Sequence, residues 1–241
     1  MYDYHILFTL QGLISLITLA FLEIVLGVDN IIFISLVAGK LPKAQQAKAR
    51  NIGLSMALIV RCSLLFSISF ILSFQKALFT IGTHGVTGRD LILLIGGVFL
   101  LYKTIGEIRE KFESKEEQAE AKKSFTLNTA IAQIIFIDIV FSFDSILTAV
   151  GMVDNVWLMV GGVVISMFIM MAFSGAVSDF IEKHPTMKML ALAFLLLIAM
   201  VLILDAAHIE IEKPIIFAAL AFALLVEGLN MALRSHQHKK H

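Results

Sequence analysis

The chain has 241 residues, 59% of them hydrophobic and only 16% charged, with a mean hydropathy of +0.90. Soluble domains use roughly 45–50% apolar residues, so this composition leaves too few polar side chains to cover a water-soluble protein of the same length. Nineteen basic and nineteen acidic residues cancel, which argues against a nucleic-acid partner; the single Cys62 excludes an internal disulfide and a cysteine-based metal cluster.

Stretches long enough to span a bilayer, about 20 residues each, run over 8–38, 52–74, 90–106, 125–151, 155–178, 187–205 and 214–233. The N-terminal MYDYHILFTL lacks the positive region of a cleavable signal, so the first helix is expected to be retained. From Ile6 to Val37 the first span has no Lys or Arg, yet its segment LEIVLGVDNI (22–31) places Glu23, Asp29 and Asn30 among aliphatic residues. The second span carries Arg61, and the third opens near Asp90. KFESKEEQAEAKK (111–123) reads as a solvated linker. The fourth span holds Asn128, Gln133 and the segment IDIVFSFDSI (137–146). Gly96-Gly97 and Gly161-Gly162 suit close helix packing. Asp179 and Glu182 are read as solvated at a helix end, and Asp205, Glu210 and Glu212 as a loop. The last span adds Glu227 and Asn230, three residues apart and so on one face. The tail RSHQHKKH reads as a basic end facing anionic lipid, with a histidine metal site as the alternative. Pro42, Pro185 and Pro214 fall in connections or at helix starts, where a missing N–H costs little.

The basic residues fix an orientation. With the N-terminus outside, fifteen Lys and Arg fall on inner segments and three (Lys76, Arg89 and Lys213) on outer ones. The positive-inside rule then gives N-out, C-in and supports an odd number of helices.

Placing 22–31 over 137–146 reveals an echo at an offset of 115 residues. Ile24/Ile139, Val25/Val140, Asp29/Asp144 and Ile31/Ile146 are identical. Glu23/Asp138 keeps a carboxylate, Gly27/Ser142 a small residue, and Asn30/Ser145 a short polar one. Apolar matches between membrane helices are cheap, but two carboxylates at one spacing are not. The echoed segments lie three helices apart, so they run in opposite directions. The fold expected is an all-α membrane protein of seven transmembrane helices, a 3+3 inverted-topology repeat plus a C-terminal helix. It forms one polytopic domain over 1–241, with repeat A about 8–106, a linker about 107–124, repeat B about 125–205 and helix 7 about 214–233. Simple antiparallel packing sets Glu23 level with Asp144 and Asp29 level with Asp138.

Each buried acid costs at least ~2.5–3.5 kcal/mol in the bilayer centre, so four cost on the order of 10 kcal/mol, comparable to a domain's stability. The acids must face a polar cavity, bind a cation or be protonated. Carboxylate, amide and hydroxyl oxygens suit hard ions such as Mn²⁺, Ca²⁺ or Mg²⁺. Crowded like charges raise the pKa of at least one group, which makes protons a natural counter-ion. Arg61 is read as a counter-charge holding the ion-free site, with an arginine snorkelling to the interface as the alternative.

At LEIVLGVDNIIFISLVAGKLP and IDIVFSFDSILTAVG the sequence resembles the TerC family of integral membrane proteins, a likeness that extends to VEGLNMAL in helix 7. It is close to the compact bacterial members without added cytoplasmic domains, and the family is similar in its repeat to the LysE-like transporters. The resemblance implies an inner-membrane divalent-cation exporter, Mn²⁺ first, with Glu23, Asp29, Asn30, Asp138, Asp144 and Ser145 matching the motif. Arg61, Gln133, Glu227 and Asn230 are added from the reading of the residues alone. No covalent enzyme chemistry is expected. The competing readings are a metal-handling scaffold for secretion partners that moves no ion, and an intramembrane aspartyl protease built on Asp29 and Asp144. The helix surfaces suit lipid or a second copy of the chain equally.

Overall fold

A computed structural model describes residues 5–6, 9–75, 77–81, 84–112, 125–153, 155–209 and 211–238. The linker reading for 113–123 falls outside the described residues, and so do the side chains of the histidine-containing tail.

Helix α1, Leu10–Leu26, opens at Thr9, whose hydroxyl accepts the Gly12 N–H. It ends at Gly27, and α2, Val28–Ala38, continues after a bend of 44°. Gly27 is required there by a close approach. A Cβ on it would lie 2.7 Å from Met170 Sδ and 2.9 Å from the Glu23 carbonyl oxygen. Helices α3 (Lys43–Phe66) and α4 (Ile68–Ser73) lead into a two-stranded antiparallel hairpin, β1 (Ala77–Ile81) and β2 (His84–Thr87), in which Phe79 pairs with Val86. The hairpin was not expected from the sequence. Helix α5, Gly88–Glu110, starts from a capping box in which Thr87 and Asp90 exchange hydrogen bonds. After the linker come α6 (Leu127–Met152), α7 (Val156–Lys183), α8 (Pro185–Ala206) and α9 (Lys213–His238).

Among the described residues six helices are long and apolar enough to cross a bilayer, and the bent α1–α2 pair, counted as one span, makes seven. All seven expected spans therefore have a helical counterpart. The second begins nine residues earlier than expected, because the polar residues Lys43–Asn51 continue the same helix.

Packing follows an exchange of the two halves. Helix α5 packs on α8, α3 on α7, and α2 on α6, while α1 against α7 is matched by α3 against α6. The expected glycine contacts are present: a Cβ on Gly96 would collide with Val140, and one on Gly97 with Ile203 and the Ala199 carbonyl. Leu19 of α1 packs close over Gly162 of α7. Large apolar side chains such as Ile17, Phe21, Ile95, Phe168 and Leu225 are exposed, as lipid-facing residues must be. Helix α9 is the least buried span, and its main contact is α8.

Candidate functional site

The buried polar residues concentrate where α1, α2, α3 and α6 meet. Arg61 on α3 is 2% exposed. Its Nε donates to both carboxylate oxygens of Asp138, at 3.1 and 3.2 Å, and its Nη2 to Asp138 Oδ1 at 2.7 Å. Nη1 reaches the other half and donates to Glu23 Oε2 at 3.0 Å. A planar guanidinium suits this forked bridging of two carboxylates, which an ammonium could not reproduce. Arg61 is thus the counter-charge and not a snorkelling residue.

Further polar groups complete the Asp138 shell. Ser142, one turn along α6, donates its hydroxyl to Asp138 Oδ2 at 3.1 Å, and Asn30 donates Nδ2 to Asp138 Oδ1 at 3.5 Å. Asn30 is 4% exposed, and its carbonyl oxygen Oδ1 is a buried acceptor with no hydrogen-bond partner. Burying such an oxygen unsatisfied costs about 1–3 kcal/mol. Turning the amide over would set two oxygens against each other at Asp138, which favours the orientation with Nδ2 toward the carboxylate.

The break at Gly27 serves Asp29. This residue sits in the first turn of α2, where unpaired N–H groups and the helix dipole favour an anion, and the Asn30 N–H donates to Asp29 Oδ1 at 2.8 Å. Asp29 then faces a cavity of about 60 Å³ shared with Asp144 and Ser145 of α6, Asp205 of α8, and apolar walls that include Leu26, Phe141 and Ile216. Ser145 lends its hydroxyl to the Ser142 carbonyl. On its far side Asp144 accepts Arg89 Nη2 at 2.9 Å. Asp205 also borders a second cavity, about 230 Å³, with Gln75, Arg89, Asp90 and His208. There His208, held at φ 62° after the last turn of α8, lies 2.9 Å from Asp90 Oδ2.

The structure therefore pairs the acids differently from the simple antiparallel picture. Glu23 and Asp138 meet on Arg61, and Asp29 and Asp144 meet across the small cavity: each acid faces its own echo. The kink at Gly27 and the packing of each helix on its counterpart produce this pairing. Three supporting assignments do not join the cluster. Gln133 lines a separate small cavity with Thr104 and Glu107. Asn230 is exposed on the lipid-facing α9, and Glu227, half-buried there, lies about 16 Å along the helix from Ile216. Asn128 lies at the lysine-rich end of α6, away from the acids.

Two site residues were missed. Asp205, read as part of a loop, is buried in the final turn of α8; the unbroken run LLLIAMVLILDA was the available signal that the helix continues. Arg89 gave no spacing signal at all. Five carboxylates thus face two guanidiniums, a formal excess of three negative charges inside the spans. Among the described residues no group of three or more His, Cys, Asp or Glu side chains is arranged to hold a metal ion, and Arg61 and Arg89 engage Glu23, Asp138 and Asp144.

Residues 8–241 match the Integral membrane protein TerC family. The chain is 47% identical over 218 residues to the "UPF0053 inner membrane protein YgdQ" of Escherichia coli K12, covering 90% of this chain and 92% of that protein. It is 44% identical over 225 residues to a "UPF0053 protein" of Haemophilus influenzae, covering 93% and 95% respectively. The match to the "UPF0053 inner membrane protein YoaE" of Escherichia coli K12, 41% identical, covers 91% of this chain but 43% of that longer protein. No solved structure matches the chain.

Proposed function

The chain belongs to the TerC family of integral membrane proteins, and from that membership and the acidic cavity we propose a multi-pass inner-membrane carrier that moves divalent cations, Mn²⁺ first, across the bilayer. The observation that carries this reading is the small cavity between the halves, lined by Asp29, Asp144 and Asp205 among apolar walls, whose acids would have to draw closer to hold an ion than they do in this conformation. A volume of about 60 Å³ suits a partly dehydrated ion, since a single water needs only ~10–15 Å³ by the same measure. Asn30, next to Asp29 in the chain, carries a buried carbonyl oxygen with no hydrogen-bond partner, and carboxylate-plus-amide donor sets suit hard cations.

In this conformation the arginines stand in for the cargo. Arg61 is shared by Glu23 and Asp138, and Arg89 pairs with Asp144, so these three carboxylates each have a cationic partner in the ion-free protein. An entering cation competes with Arg89 for Asp144, and carboxylates that lose a partner when it leaves take up protons. Such exchange couples metal movement to a counter-flow of protons. Outward direction is taken from the family resemblance alone.

An intramembrane protease is less well supported. Asp29 and Asp144 do share a cavity, but it is too small for a peptide, and Arg89 holds Asp144 where a dyad needs a shared proton. The test is Mn²⁺ uptake by proteoliposomes with an internal pH indicator. Wild type should move Mn²⁺ with an opposite proton flux, and Asp144→Asn should lose both. A protein that binds Mn²⁺ but drives no flux would shift the reading to a metal-handling scaffold.

A further inference from the structure

A second concavity, at the opposite pole of the charge distribution, is left unexplained by the acidic site. A cavity of about 900 Å³ opens beside the turn that follows α2, between the ends of α3, α5, α6, α7 and α8. Its volume falls within the roughly 300–1,000 Å³ of small-molecule sites. Among the described residues Lys40, Lys43, Lys111 and Lys188 line it against one acid, Glu182. Lys40 is tied to Glu107 and to Glu110, and Glu182 accepts Gln46 Nε2 at 3.0 Å. Lys111 and Lys188 stand close enough for their charges to oppose each other, only partly offset at Lys188 by Glu107 and Glu182, and an intervening anion would relieve the remainder.

The backbone carries the same sign. Helices α3, α6 and α8 all begin at this cavity, and Lys43, Leu127, Asn128 and Pro185 from their first turns line it. Neither Pro42 nor His184 caps its helix with a side-chain hydrogen bond, so first-turn N–H groups and the positive ends of dipoles remain for a ligand. The positive-inside tendency explains lysines on one face of the membrane, but not three helix starts converging on one hollow. A bare divalent cation is repelled here, so the basin is not an extension of the acidic path.

We propose that this basin binds an anion bearing one or more phosphate groups, supplied by a soluble phosphate compound or by the headgroup of an anionic lipid. The test uses the full chain in phosphatidylcholine nanodiscs in metal-free buffer, titrated calorimetrically with inorganic pyrophosphate; without metal, its outcome is independent of the cation-carrier reading. Wild type should bind, Lys111→Gln/Lys188→Gln should bind about ten-fold more weakly or worse, and Lys48→Gln, exposed and outside the basin, should match wild type. Repeating the titration with phosphatidylglycerol in the disc separates the sources. Undiminished pyrophosphate binding marks a soluble ligand; competition, with phosphatidylglycerol retained on the wild type but not the double variant in native mass spectrometry, marks a lipid. Should the double variant fail to fold, the exposed Lys43→Gln carries the same expectation with a loss of about three-fold. The proposal is overturned if wild type binds neither pyrophosphate nor phosphatidylglycerol, or if these variants bind both as tightly as wild type.

Discussion

The segments at 22–31 and 137–146 share a spacing of acids but not a backbone. The first breaks at Gly27 with a 44° bend, and the second runs straight through Ser142 within α6. The difference lies in one side chain. Glycine admits Met170 and ends α1, which gives Asp29 the N-terminal turn of a new helix. Serine keeps the helix intact and turns its hydroxyl onto Asp138. One half therefore steadies Asp29 with backbone, and the other steadies Asp138 with side chains. Arg61 binds the halves unequally as well, with three contacts to Asp138 and one to Glu23.

Removing the shared cation should have the largest effect. Arg61→Met leaves Glu23 and Asp138 buried beside each other, and breaking a buried pair in this way costs about 3–5 kcal/mol. The variant should accumulate poorly and melt at a much lower temperature in detergent, and adding Glu23→Gln with Asp138→Asn should recover much of the loss. The unequal grip on the two acids gives the next test. Asp138→Asn should destabilise the protein more than Glu23→Gln, because it disturbs contacts from Arg61, Ser142 and Asn30 together; the reverse order in thermal melting would show that the first half holds the arginine.

Exchanging the small residues sharpens the comparison. Gly27→Ser places a Cβ against Met170 and the Glu23 carbonyl and should cost about 1–3 kcal/mol, partly relieved by Met170→Ala. Ser142→Gly loses a hydrogen bond and adds backbone freedom, each worth about 1 kcal/mol. If Gly27→Ser melts like wild type, the break is not set by that contact. The smallest effect concerns the turns that follow the two segments. Asn155 accepts the Trp157 and Leu158 N–H groups at the start of α7, a cap without charge. Lys40 instead pairs with Glu107 and Glu110, and these acids raise its pKa above the usual 10.5 despite partial burial. A raised lysine pKa stabilises fully below 10.5 and is lost as pH climbs through the higher folded value. Melting curves between pH 9 and 12 should therefore differ between wild type and Lys40→Met, while Asn155→Ala should shift stability by about 1 kcal/mol equally at all pH values.

The spans and the echoed acids were legible because both signals are periodic and local: runs of apolar residues, and Glu23 and Asp29 recurring as Asp138 and Asp144. Pairing across the halves was not, since it depends on a kink whose angle no residue spacing encodes. Asp205 was misjudged because an acid at the end of an apolar run reads as the edge of a span, yet α8 carries it inside. Arg89 lies 55 residues from Asp144, and only the fold brings them together. Glu227 and Asn230 share a helix face, but α9 turns little of itself toward the other helices.

The proposed carrier draws on carboxylates from both halves for one seat, and the most direct test is the initial rate of Mn²⁺ flux in proteoliposomes carrying Asp29→Asn or Asp144→Asn singly. Each variant should fold and fall at least about ten-fold below wild type, the loss of about 1.4 kcal/mol or more. Either variant running at the wild-type rate would contradict a seat shared between the halves.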